Sequence, residues 1–253
     1  MVLLLVACGP EPDDSTSQNA GETVELTISA AASLTDALYD IQKAFESEHD
    51  FIKLNYNFGS SGALQRQIEQ GAPADVFLSA AANHMQALVD QRLIDADQHS
   101  TLLSNELVVV VPKDSKTPIN HAAALTNDEV KRVAIGIPES VPAGSYAKEA
   151  LAGADLWDAL QPKIVQGKDV RQVLQYVETG NADAGFVYKT DAMTSENVTI
   201  AFTVAPDTYA RIEYPVGVVT ATKHRIEAEE FYRYLQSKEA LGVFVEYGFT
   251  VPQ

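Results

Sequence analysis

From Val24 onward the apolar and polar positions alternate between two periods. Ile52, Leu54, Tyr56 and Phe58 are separated by Lys53, Asn55 and Asn57, the twofold period of a half-buried strand. Leu34, Leu38, Ile41 and Phe45 instead recur at helical spacing and form one apolar stripe. Taken in order, the pattern predicts strands over Val24–Ile28, Ile52–Phe58, Ala74–Ser79, Leu107–Val111, Val133–Ile137, Lys163–Val165, Ala182–Tyr188 and Tyr214–Thr220. It predicts helices from Ser33, over Ala63–Gln70, around Met85, Leu88 and Val89, over Ser145–Leu151 and over Val170–Val177. Two closing helices carry Phe231, Tyr232 and Leu235, then Leu241, Phe244 and Tyr247, with Gly248 as C-cap. Leu107–Val111 is apolar at every position, as a strand buried on both faces must be. Thr117–Asp128 is polar and irregular and reads as a surface connection. Strands alternating with helices predict an α/β fold.

One kind of junction recurs in this pattern. At Ile28–Leu38 a buried strand runs through the small residues Ala30, Ala31 and Ala32 into a helix whose first polar group is Ser33. Small side chains let a solute approach the backbone, and a helix start presents unpaired N–H groups and a partial positive charge. Such a junction is suited to bind an anion. Similar junctions occur at Gly59-Ser60-Ser61-Gly62, at Val141-Pro142-Ala143-Gly144 and at Gly167-Lys168-Asp169 before Val170. Each also has a purely structural reading. Ser33 with Asp36 fits a capping box, the glycine-rich turn fits a need for backbone freedom, and Asp169 with Gln172 fits a second capping box. Asp169 suits an anion site only if its carboxylate turns back onto its own helix. Tyr188, at the end of its strand, reads equally well as a half-buried strand aromatic.

Composition narrows the function. The 253 residues suffice for one large domain or two lobes of roughly 100 residues each. A formal net charge of -17 argues against nucleic acid as a partner. The same charge repels small anions on average, so an anion site must depend on local donors. Cys8 is the single cysteine, which excludes an internal disulfide and a cysteine-based zinc site. His49, His84, His99, His121 and His224 lack metal-ligand spacing and read as surface or packing residues. Ser61 sits one residue away from a nucleophile elbow, because Ala63 stands where the second glycine belongs. With no histidine placed as a base, a serine hydrolase is disfavoured. Met1–Ala7 is apolar but far too short to span a bilayer. Leu5-Val6-Ala7-Cys8 resembles a bacterial lipobox; the alternative is a cysteine buried in a first strand. Gly9–Gly21 is rich in Pro, Ser, Asp and Gly, a tether by composition, which favours the lipobox. No Lys or Arg precedes the apolar run, so residues 1–23 read as a truncated lipoprotein signal and a disordered tether.

The stretches AAASLTDAL (Ala30–Leu38), FGSSGAL (Phe58–Leu64), QGAPADVF (Gln70–Phe77), LVVVVP (Leu107–Pro112), VPAGSYAKEAL (Val141–Leu151), DVR (Asp169–Arg171), Val187-Tyr188, EYPV (Glu213–Val216) and YGF (Tyr247–Phe249) together resemble the molybdate-binding proteins of bacterial ABC importers. The likeness runs in order from about Leu26 to Phe249. It implies a type II periplasmic-binding-protein fold: two lobes, each a mixed, mostly parallel sheet flanked by helices, with ligand in the cleft. Lobe 1 is then expected over 24–105 plus 213–253 and lobe 2 over 106–212, with crossings near Ser104–Leu107 and Arg211–Tyr214. Carried over by motif, the oxyanion ligands are Ser33, Ser61, Ala143, Val170 and Tyr188, and molybdenum enters only as the bound oxyanion. Arg66, Lys168 and Arg171 match no ligand motif and are expected at the cleft rim or surface. The resemblance further implies an extracytoplasmic, monomeric binding protein without catalysis or cofactor, partnered by a membrane permease and held to a bacterial membrane by a lipid on Cys8. Two alternatives remain at this point: a receptor for sulfate or another tetrahedral oxyanion, and a lipoprotein that kept the fold but lost the ligand.

Overall fold

The computed structural model describes residues 23–252, so Cys8 and the expected signal and tether lie outside the described residues. The chain begins with β1 (Val24–Ala31), α1 (Thr35–Glu48), β2 (Ile52–Gly59), α2 (Ser61–Glu69), β3 (Val76–Leu78), α3 (Ala82–Asp90) and β4 (Ile94–Ser104). It continues with β5 (Leu107–Pro112), β6 (Val133–Gly136), α4 (Pro142–Gly153), α5 (Trp157–Leu160), β7 (Ile164–Gly167), α6 (Val170–Glu178), β8 (Ala184–Tyr188), α7 (Lys189–Met193) and β9 (Val198–Thr203). It closes with β10 (Glu213–Val219), α8 (Arg225–Leu235) and α9 (Lys238–Glu246).

Two five-stranded sheets result, in the orders β2-β1-β3-β10-β4 and β7-β6-β8-β5-β9. Both are mixed, and their patterns are identical. Parallel pairing joins β2-β1-β3 and β7-β6-β8, and antiparallel pairing adds β10 then β4, or β5 then β9. The chain passes from the first sheet to the second between Ser104 and Leu107, and returns between Thr208 and Glu213. Each sheet buries its strands under helices. Leu26, Ile28, Leu34, Leu38, Ile41 and Phe45 are fully enclosed in the first lobe, and Val108, Val109, Val133, Ile135, Val173 and Val187 in the second. At about 25 cal/mol per Å² of apolar area, burial on this scale is the main drive of folding.

The structure corrects several expectations. Strands β4 and β9 are absent from the expected set: β4 is polar over most of its length, and in β9 only Val198 is buried. The stretch Thr117–Asp128 is not wholly irregular: Ala122–Thr126 forms a 3-10 turn that buries Ala124 and Leu125. Helix α4 starts at Pro142 rather than Ser145, since the fixed φ of proline suits the first helical position. The proposed capping box at Ser33 does not form. Ser33 lies inside a 3-10 turn, Ala32–Leu34, without a side-chain cap, and Asp36 pairs elsewhere. Tyr188 is not half-buried: only 1% of it is exposed.

Candidate functional site

The repeated sheet pattern explains the repeated junction. In each lobe three parallel strands end at the cleft, and the chain turns there into a helix. Strands β1, β2 and β3 deliver Ser33, Ser61 and Ala80, while β6, β7 and β8 deliver Val141–Ala143, Val170 and Tyr188. In open α/β sheets the carboxyl ends of parallel strands are where ligands bind. Here two such edges face each other. One small cavity is lined by Ala31, Ala32, Ser33, Gly59, Ser60, Ser61, Ala80, Val141, Pro142, Val170 and Tyr188. Its volume is about 10 Å³, close to the least that holds one water molecule, so the two edges stand nearly in contact around it.

Of the five residues expected as ligands, Ser33, Ser61, Val170 and Tyr188 share this wall. Ala143 does not: its side chain is buried behind, and Val141 and Pro142 form the wall there. What Ala143 brings is its backbone. Pro142 has no N–H, so the Ala143 N–H is the first donor at the start of α4. Gly144 permits this placement, because a Cβ there would lie 2.0 Å from the Gly136 carbonyl oxygen. Ser61 and Val170 hold the first positions of α2 and α6, so their N–H groups also lack partners within the helix.

The side chains are arranged as donors. Ser61 Oγ accepts the Ala80 N–H at 2.8 Å, which leaves its own proton free for another acceptor. Ser33 Oγ lies 2.9 Å from the Tyr214 hydroxyl, which itself accepts from Asn105 Nδ2 at 3.3 Å. Asn105 Nδ2 also donates to Thr190 Oγ1 at 2.9 Å. The consistent direction is Asn105 to Tyr214 to Ser33, again freeing the serine proton. The Tyr188 hydroxyl is buried and has no hydrogen-bond partner among the described residues. Burial pushes the Tyr188 and Tyr214 phenols well above the usual tyrosine range, so both stay protonated. Among the described residues no Asp, Glu or His lines the cavity. Asp169 does turn back: its Oδ1 accepts the Gln172 N–H at 2.8 Å. Gln172 reaches the Lys168 N–H at 2.7 Å, one residue before the position a capping box requires.

Sequence reasoning missed the layer behind the serines. Tyr214 lies in the EYPV stretch, but nothing in its spacing marks it as the partner of a residue 181 positions away. Ala80 acts through its backbone, which leaves no side-chain signal. Arg171, expected at the rim or surface, has only 26% of its side chain exposed and lies between two carboxylates, Asp36 at 2.6 Å and Asp191 at 2.8 Å. Burial drives the Asp191 carboxyl up to about 6, against the pull of Arg171. The lobes also touch where the Gly62 N–H donates to the Ser140 carbonyl at 3.0 Å. Among the described residues no group of three or more His, Cys, Asp or Glu is placed to hold a bare metal ion. Nor is any described helix long and apolar enough to cross a membrane.

This geometry agrees with what the chain is similar to. YvgL, a Bacillus subtilis lipoprotein assigned to ABC-transporter substrate binding, is 52% identical over 98% of this chain and 94% of its own length. The molybdate-binding protein ModA of Escherichia coli is 43% identical over 90% of this chain and 89% of its own. Among solved structures, a substrate-binding domain assigned to a molybdenum ABC transporter of Clostridium difficile superposes with a TM-score of 0.70 at 40% identity. That match covers 91% of this chain and 100% of the other. The profile described as bacterial extracellular solute-binding protein matches residues 26–250, and the chain belongs to that family.

Proposed function

We propose that this chain is the extracytoplasmic receptor of an ABC-type importer, capturing molybdate and tungstate between its lobes and delivering them to a membrane permease. The observation that carries the reading is the cavity wall, whose polar groups are placed as hydrogen-bond donors. The hydroxyls of Ser33, Ser61 and Tyr188 and the N–H groups of Ser61, Ala143 and Val170 form the proposed ligand set. A buried dianion is costly unless its oxygens are fully hydrogen-bonded. Charge-assisted bonds at roughly 1.5–3 kcal/mol each offset that cost and allow micromolar or tighter binding. Three helix starts add positive potential without a formal charge. A donor wall suits an anion that has lost all its protons and rejects phosphate, whose remaining proton needs an acceptor.

The names of the relatives support molybdate as the anion. The lobes are assigned as 24–105 plus 213–253 and 106–212, and Cys8 as the site of a lipid anchor, a reading supported by the LVAC stretch and by the lipoprotein name of YvgL. The receptor is read as a monomer that performs no chemistry, in keeping with the solute-binding family to which the chain belongs.

Titration calorimetry of the full chain with molybdate, tungstate, sulfate and phosphate tests the proposal. Tight one-to-one binding of molybdate and tungstate with little heat from sulfate or phosphate is expected. A preference for sulfate moves the function to another oxyanion, and silence for all four removes the ligand. Tyr188→Phe is expected to weaken molybdate about tenfold by the same measurement, since its hydroxyl is buried on the wall without another partner. Unchanged affinity takes Tyr188 out of the ligand set.

A further inference from the structure

Three charged residues follow closely on three residues of the proposed ligand set. Asp36 comes three positions after Ser33, Arg171 one after Val170 and Asp191 three after Tyr188. Asp36 belongs to α1 against the first sheet, while Arg171 and Asp191 belong to α6 and α7 against the second. Arg171 Nη2 reaches Asp36 Oδ2 at 2.6 Å across the cleft, and Arg171 Nε lies 2.8 Å from Asp191 Oδ1 within its own lobe. Asp191 is fully buried and anchored, with its Oδ2 accepting the Tyr188 N–H at 3.3 Å. Arg171 Nη1 donates to Thr194 Oγ1 at 3.2 Å. The guanidinium is thus held within its own lobe, by the ion pair with Asp191 and the hydrogen bond to Thr194, as well as across the cleft.

We propose that Arg171 is a positioning residue that latches the closed lobes: it is held by Asp191 and grips Asp36, which sets how slowly the anion leaves. An exposed ion pair contributes little because two flexible side chains must be ordered to make it. In this arrangement Arg171 is already ordered by its own lobe, so only Asp36 is added on closure. The latch also acts on the backbone that faces the anion, since Arg171 directly follows Val170 and Asp191 holds the Tyr188 N–H. Closing the latch and binding the anion therefore pull the same two helix starts toward the first lobe. A ligand favours the closed state only by its differential affinity, and the latch adds to that difference without touching the ligand.

This inference rests on the anion-receptor reading and makes a prediction of opposite sign to plain electrostatics. Asp36→Asn removes a negative charge from a chain of net charge -17, which by field alone strengthens binding of a dianion. The latch requires the reverse. Radiolabelled molybdate bound to the full chain is chased with excess unlabelled molybdate, and association is followed separately. Asp36→Asn and Arg171→Gln are expected to speed dissociation at least tenfold, with the association rate of Asp36→Asn within about twofold of the parent. Asp36→Glu restores slow release. Asp36 is a partly exposed surface residue, so its substitution leaves folding intact, checked by an unchanged melting temperature without anion. Dissociation from Asp36→Asn as slow as from the parent, or slower, overturns the latch. A parent chain that binds no molybdate overturns the receptor reading instead, so the two failures are distinct.

Discussion

Ser61→Ala lowers affinity for molybdate by about 1–3 kcal/mol, fivefold to 150-fold, with the effect toward the upper end of that range. Two losses add in this substitution. The anion loses a hydroxyl donor, and the buried Ala80 N–H loses the oxygen that accepts it at 2.8 Å. A buried donor without a partner costs more than the average hydrogen bond gives. Ser33→Ala falls in the same range but nearer its lower end. When Ser33 is removed, the Tyr214 hydroxyl still accepts from Asn105 and its proton becomes free to turn toward the cavity. Calorimetric titration of both variants checks the order as well as the size. Near-parent affinity in both would remove the serines from the site. Equal losses would remove the distinction between a serine backed by a phenol and one backed by a backbone N–H.

The two readings of the serines show what the chain discloses by itself. The α/β class, most interior strands and the helix stripes were legible because each is local: a period of two or of 3.6 within a dozen residues. Strand β4 was not, because it is polar over most of its length, whereas β9 does carry the alternation Val198, Ile200, Phe202 that marks a strand. The identity of the two sheet patterns was equally hidden. The lobes share strand order and direction while their sequences show no repeat, since many apolar residues satisfy the same buried position. The recurring junction was its visible trace: small residues at a helix start are required wherever a solute meets backbone. Four of the five residues carried over by resemblance share one wall, and the fifth, Ala143, is not on it but holds the second position of α4 beside the wall residue Pro142. What sequence could not supply was the partner of each donor. Tyr214, Asn105 and the Ala80 N–H become neighbours of the serines only when strands distant in the chain are paired. The role of Arg171 was likewise invisible, because its two carboxylates lie 135 and 20 positions away on different lobes.

The glycine of the second junction gives the other large effect. Gly62→Ala is expected to abolish tight molybdate binding, by 100-fold or more, while leaving the anion-free protein as stable as before or more so. The reason is a contact between lobes. A Cβ built on Gly62 lies 2.9 Å from both Cα and the carbonyl oxygen of Ser140, in the opposite lobe, and 3.0 Å from His84 Cε1. The histidine ring can shift, but the Ser140 backbone is fixed at the start of the turn into α4, where its N–H donates to the Ile137 carbonyl at 3.0 Å. The lobes then stop short of the separation at which the Gly62 N–H meets the Ser140 carbonyl and the two halves of the donor wall enclose one solute. Within its own lobe the same change is harmless. Gly62 is the second residue of α2 and has no left-handed backbone, and alanine in a helix is favoured over glycine by about 0.5–1 kcal/mol. Opposite signs for stability and affinity separate a block on closure from ordinary misfolding. The check is a melting curve without anion beside a molybdate titration of the same preparation. A lowered melting temperature with proportionate loss of binding would count against the block, and so would parent-like affinity. A stable variant that no longer retains the anion identifies closure, rather than the donor set alone, as the source of tight binding.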